Sequence, residues 1–102
     1  MFDTTQIINI SNDELKKYIQ DDDFVLIDVR TKDEYNLGKI NGALNVDFLA
    51  ADFMQKIVEL DKNKKYILYC RSGMRSLLAG KKFIESGFEN LYNLTNGYAN
   101  WH

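Results

Sequence analysis

The sequence predicts one α/β domain over residues 1–102, with parallel strands in a sheet that helices cover on both faces. Three observations lead there. Short, continuously apolar runs alternate with amphipathic segments, the pattern of strands buried on both sides. A chain of 102 residues is near the commonest size for a single domain. Its 45% hydrophobic and 13% aromatic content supplies apolar area for one packed core, without metal or disulfide staples.

Element by element, Ile7 to Ile10 reads as a first strand. Ser11 with Glu14 three residues on writes a capping box for a helix that buries Leu15, Tyr18 and Ile19. Phe24 to Ile27 is a buried strand with an unusually polar end, Asp28-Val29-Arg30. Thr31 and Glu34 form a second capping box, Tyr35 and Leu37 give that short helix an apolar edge, and Gly38 stops it. After a turn at Asn41 and Gly42, Ala43 to Val46 is a short strand. Leu49, Phe53, Ile57 and Leu60 then recur at helical spacing. Lys62 to Lys65 reads as a solvated loop, and Tyr66 to Tyr69 as a buried strand ending in Cys70. A helix from about Ser76 to Ser86 stops at Gly87, Leu91 to Leu94 is the last strand, and a turn follows at Gly97.

Charge and cysteine usage exclude several functions. Thirteen Lys and Arg against fifteen Asp and Glu give a net charge of -2, with no basic run to follow a phosphate backbone, so no nucleic-acid partner is expected. The N-terminus has no signal-peptide pattern and no stretch of eighteen apolar residues occurs, so neither export nor a membrane is expected. One cysteine makes no internal disulfide or CxxC redox pair, and with one histidine it fills no zinc site. A reducing, cytoplasmic setting fits, with no metal and no cofactor.

Cys70 falls just where ligand sites gather in open parallel sheets, at the carboxyl end of a strand that leads into a helix. Five residues separate it from Ser76, few enough for Arg71, Ser72, Gly73, Met74 and Arg75 to curl around the sulfur with their amides turned inward, a nest that attracts anions. A helix dipole contributes about 0.3 to 1 kcal/mol and each hydrogen bond to a charged group about 1.5 to 3 kcal/mol, so the amides dominate. Two or three such bonds bring a thiol that titrates near 8.5 below neutrality. Gly73 is needed because glycine makes so tight a turn without steric cost. A cysteine closing a strand is often only a small core hydrophobe. Two arginines, a serine and a glycine nearby make a poor cap for an apolar strand, and favour a functional thiol.

These residues resemble the active-site loop of the rhodanese-like sulfurtransferases. Cys70-Arg71-Ser72-Gly73-Met74-Arg75 is similar to their six-residue loop, commonly Cys-Arg-x-Gly-x-Arg in thiosulfate-using members. Asp28-Val29-Arg30 with Glu34 and Tyr35, the segment Gly38 to Asn45, and Gly97 with Trp101 resemble further family motifs in the same order. Lys39 and Asn41 depart from a usual histidine and proline, which bears on loop rigidity. The resemblance implies a five-stranded parallel sheet and a two-step transfer through a Cys70 persulfide. Sulfur would pass from a small anionic donor such as thiosulfate to cyanide, a thiol or a protein acceptor.

Other readings stand beside this one. Arg71 and Arg75 either bind the donor or are surface charges, Arg75 pairing with a carboxylate. Asp28 and Arg30 either orient the loop or form a structural ion pair, and a local Arg30–Glu34 pair is expected from their spacing. His102 ends the chain and Asp21-Asp22-Asp23 lacks calcium-loop spacing, so neither is assigned a role. Trp101 is expected to pack into the core. Phosphatases and arsenate reductases also set a cysteine and an arginine around an anion, but tyrosine phosphatases place five residues between them and only four separate Cys70 from Arg75. A docking or persulfide-carrier module is the remaining alternative.

Overall fold

A computed structural model describes residues 6–102. Its elements run β1 (Ile7–Ile10), α1 (Asn12–Tyr18), β2 (Phe24–Asp28), α2 (Lys32–Leu37), β3 (Leu44–Asn45), α3 (Phe53–Ile57), β4 (Lys65–Tyr69), α4 (Met74–Glu85) and β5 (Leu91–Leu94), with a closing 3-10 turn at Tyr98–Asn100. The five strands form one sheet in the order β1-β5-β4-β2-β3, and every pairing is parallel. The apolar run of β4 explains its central place: Tyr66, Ile67, Leu68 and Tyr69 are all buried, which only a strand covered on both faces achieves.

Strand alternation sorts the core into two layers. Ile7, Ile27, Tyr66, Leu68 and Leu91 meet Phe53 and Ile57 of α3 and Ala79 and Phe83 of α4 on one face. Ile10, Leu26, Ile67, Tyr69 and Leu94 meet Leu15 of α1 on the other, with Tyr35, Tyr98 and Trp101 packed against them. Cys70 continues the parity of Tyr66 and Leu68 and so faces the α4 layer. Both capping boxes form: Ser11 with Glu14, and Thr31 with Glu34, each accept an amide and return one. Among the described residues no helix is long and apolar enough to cross a membrane.

Several expected boundaries shift. Asp47 Oδ1 accepts the Leu49 amide at 2.8 Å, and this side-chain turn delays the third helix to Phe53, leaving Leu49 exposed. The third strand is two residues long, Lys65 joins β4, Cys70 lies one residue beyond it, and α4 starts at Met74. Ile19 and Leu37 are exposed rather than buried. Leu37 closes a six-residue helix whose hold on the sheet is Tyr35, the hydroxyl of which donates to the Ala43 carbonyl at 2.6 Å. Gly38 ends that helix with extended backbone, not a left-handed turn, and its missing side chain makes room for the Tyr98 hydroxyl.

Candidate active site

The loop from Arg71 to Gly73 joins the end of β4 to the start of α4 and turns back under Cys70. Gly73 has φ 100°, and a side chain there would strike the Thr95 carbonyl, so the turn demands glycine on both counts. In this conformation the Gly73 N–H donates to Cys70 Sγ at 3.1 Å, and Ser76 Oγ lies 3.4 Å from the same sulfur. Cys70 is 1% exposed, and burial alone pushes its thiol up. The Ser76 hydroxyl, then the amides of Ser76, Ser72 and Gly73, outweigh that burial and hold the thiol below its ordinary value. Of the three amides Gly73 makes the short hydrogen bond, and the others add weaker attraction at the start of α4.

The two loop arginines have separate positions. Arg75 forms a fork with Glu34 of α2, Nη1 to Oε1 at 2.7 Å and Nη2 to Oε2 at 3.0 Å, so its guanidinium is engaged across 41 residues of sequence. Arg71 accepts the Ala99 amide through its carbonyl at 3.0 Å, but its exposed side chain has no hydrogen bond or ion pair among the described residues and lines an open cleft of about 440 Å³ with Arg30, Leu37 and Tyr98. Ser72 and Met74 are exposed, while Gly73 and Ser76 are buried against the sulfur. Gly73 and Ser76 therefore lie buried around Sγ, Arg71, Ser72 and Met74 face solvent, and Arg75 is half-buried against Glu34.

The expected Arg30–Glu34 pair is corrected. Arg30 turns instead to Asp28, with Nε at 3.0 and 3.1 Å from the two carboxylate oxygens and Nη2 at 2.7 Å. The two-residue separation along an extended chain end aims both side chains to one face, whereas Glu34 is turned toward α4 by its own cap. Tyr69 donates its hydroxyl to the same carboxylate at 2.8 Å, set opposite by the Asp28–Tyr69 register, and accepts the Ile40 amide. Arg30 also donates to the Gly38 carbonyl at 2.5 Å, and its guanidinium lies 4.3 Å from the centre of the Tyr98 ring. Tyr98 in turn donates its amide to the Cys70 carbonyl at 2.8 Å. Asp28 and Arg30 thus form a buried ion pair that reaches the loop through Tyr98. Trp101 packs against the sheet under Lys16, not over Cys70, as expected of it.

Sequence reading missed Tyr98 and Asn93. Asn93 carried a signal, as a polar residue inside the apolar run Leu91–Leu94, and its Oδ1 lies 2.5 Å from Ser76 Oγ. The Tyr98 signal was the tight Gly97 turn before it, but nothing local tells which cation an aromatic will meet.

The Arg75 fork gives a test of stability. Hydrogen bonding to Arg75 is the largest cause that brings the Glu34 carboxyl down from 4.5 to about 2. A depressed carboxyl contributes stability that is complete above its unfolded value and lost as pH falls through its folded one. Between pH 4.5 and 2 the wild type is expected to lose stability more steeply than Glu34→Gln, which keeps the helix cap. Near neutrality the substitution costs about 1 kcal/mol, since the pair is partly solvated. Urea midpoints over a pH series measure both.

A family model described as Rhodanese-like domain matches residues 11–102. The chain is 38% identical over 97 residues to the Bacillus subtilis protein named "Putative sulfurtransferase YtwF", covering 94% of this chain and 91% of that one. It is also 38% identical over 87 residues to a tRNA uridine(34) hydroxylase of Cytophaga hutchinsonii, covering 82% of this chain but 28% of the hydroxylase. The chain thus spans less than a third of that relative's length. The crystal structure of a rhodanese-like domain protein from Staphylococcus aureus matches with a TM-score of 0.77 at 26% identity, covering 94% of this chain and 92% of that one.

Proposed function

The chain belongs to the rhodanese-like domain family, and on that premise we propose that it is a sulfurtransferase working through a persulfide on Cys70, in a reducing, cytoplasmic setting. The observation that carries this reading is the sulfur held between the Gly73 amide and the Ser76 hydroxyl, with its thiol depressed despite burial. Such a cradle suits an anionic sulfur, and the four residues between Cys70 and Arg75 make a shorter ring than the five of a tyrosine phosphatase. The engagement of Arg75 by Glu34 also weighs against a phosphatase, where that guanidinium would be needed for the anion.

In the proposed reaction the Cys70 thiolate attacks the outer sulfur of thiosulfate. The S–S bond of the donor breaks, sulfite leaves with the electron pair, and the cysteine keeps a terminal, negatively charged sulfur. Cyanide or a thiolate then attacks that terminal sulfur, breaking the new S–S bond. Thiocyanate or an acceptor persulfide leaves, and the Cys70 thiolate is restored. The amides of Ser72, Gly73 and Ser76 hold the negative charge at each stage. Arg71, unpaired at the cleft, meets the sulfonate of the donor, while Met74 serves through its backbone at the helix start. Arg75 shapes the loop through Glu34, and Asp28 and Arg30 support it through Tyr98.

A second reading, delivery of the persulfide sulfur to a protein thiol, is favoured by the rim of the cleft. Leu37, 91% exposed, lines the cleft together with Arg71, an apolar border that small anions do not need. Intact-mass measurement tests the common core of both readings. Incubation with thiosulfate is expected to add one sulfur atom, and later cyanide to remove it. A protein whose mass does not change with thiosulfate would overturn the proposed donor chemistry. Rapid loss of the adduct to a protein thiol but slow loss to cyanide would select the second reading.

A further inference from the structure

Asn93 is 4% exposed on β5, in register with Leu68 of β4 on one side and Asn9 of β1 on the other. The shared register turns Asn9 and Asn93 to the same face as Cys70. Their side chains make a chain of contacts that ends at the sulfur. Asn93 Nδ2 donates to Asn9 Oδ1 at 3.1 Å, and Asn93 Oδ1 accepts from Ser76 Oγ at 2.5 Å. Ser76 Oγ in turn lies 3.4 Å from Cys70 Sγ and 3.1 Å from the Gly73 carbonyl. A serine hydroxyl has one proton, and here three acceptors compete for it: Asn93, Gly73 and the charged sulfur.

The direction of this chain depends on the charge of Cys70. A neutral thiol donates its proton to Ser76 Oγ, and Ser76 donates onward to Asn93 Oδ1. A thiolate has no proton to give, so Ser76 must turn its own toward the sulfur. Its oxygen then faces Asn93 and needs a donor there. A half-turn of the Asn93 carboxamide supplies Nδ2 to Ser76 and presents Oδ1 to Asn9, whose exposed amide turns in step. A carboxylate in either place accepts only, and holds the chain in one direction.

We propose that Asn93, backed by Asn9, is a positioning residue for Cys70, whose carboxamide turns to aim the Ser76 proton at the sulfur when that sulfur is charged. This rests on the reading of Cys70 as the nucleophile. Among the described residues, the charged groups around Cys70 are Arg75 on α4, with Glu34 of α2 compensating it, Arg71 of the loop, and the Asp28–Arg30 pair at the end of β2. Each is bonded elsewhere or exposed, and no hydrogen bond joins any of them to Ser76, Asn93 or Asn9, so their fields are common to all the variants below.

The test is the pH dependence of Cys70 alkylation by iodoacetamide, followed by intact mass on the full chain. Asn9→Asp lies at an exposed position and leaves the fold intact. Its carboxylate keeps Asn93 Nδ2 outward and the Ser76 proton off the sulfur, so the alkylation midpoint is expected to rise by about half to one pH unit. Asn93→Asp is expected to raise it further. On a Ser76→Ala background the Asn9→Asp shift is expected to vanish, which a field effect or a packing effect would not do. An unmoved midpoint in Asn9→Asp, or the same shift with and without Ser76, overturns the proposal. The same samples are treated with thiosulfate: a wild type that takes no sulfur while the alkylation shifts hold would remove the sulfur-transfer reading and leave the relay standing.

Discussion

Cys70→Ser is expected to reduce thiocyanate formation from thiosulfate and cyanide by about 10³-fold or more, which corresponds to ~4 kcal/mol of barrier. An alcohol at this position is far less acidic than a thiol, and the Ser76 hydroxyl and Gly73 amide that help a thiolate are too few to ionise it. Nor does oxygen form a stable, readily cleaved link to the transferred sulfur. Stability should change little, by about 1 kcal/mol or less, because the new hydroxyl inherits the Gly73 donor and the Ser76 neighbour. Steady-state assay and thermal unfolding of the same preparation separate the two effects. Retained activity, or a sulfur adduct that survives in Cys70→Ser, would move the nucleophile elsewhere.

The second large effect falls on stability, at Arg30→Leu. The substitution leaves Asp28, 0% exposed, without its cation, and removes the bond to the Gly38 carbonyl and the contact with Tyr98. Breaking one partner of a buried pair costs about 3–5 kcal/mol. That is a large share of the ~5–15 kcal/mol that holds a typical domain together. At roughly 4 °C or more per kcal/mol for a chain of this size, the melting point is expected to fall by more than about 12 °C. Removing the charge as well, in Asp28→Asn with Arg30→Leu, is expected to recover part of the loss, since Asn still accepts the Tyr69 hydroxyl. Urea unfolding of the single and double variants measures the recovery. A double variant less stable than Arg30→Leu would show that the carboxylate is needed for more than its partner.

Where local chemistry decides structure, the sequence was legible. Both capping boxes, the apolar runs of β2, β4 and β5, and the glycine at the turn under Cys70 formed as their residue types require. The partnerships of charged groups were not. Arg30 and Glu34 are four residues apart and looked like a pair, yet each found a better-placed partner: Asp28 on the same strand end, and Arg75 at 41 residues' distance. Tertiary packing makes that choice, and spacing along one chain segment does not contain it. Asn93 was readable as an oddity in an apolar strand, but its link to Cys70 needed the register of three strands and the position of Ser76. Exposure of Leu37 was missed for a related reason, since helical periodicity tells which residues share a face and not whether a six-residue helix is long enough to bury it.

The brevity of β3 affects more than the boundary of the sheet. It meets β2 through only two residue pairs, Ile27 with Leu44 and Asp28 with Asn45. Open strand flanks are the templates on which chains polymerise, and a flank of two rungs gives an incoming segment almost nothing to zip onto. That side offers fibril growth little purchase, and among the described residues the opposite border of the sheet is the longer strand Ile7–Ile10.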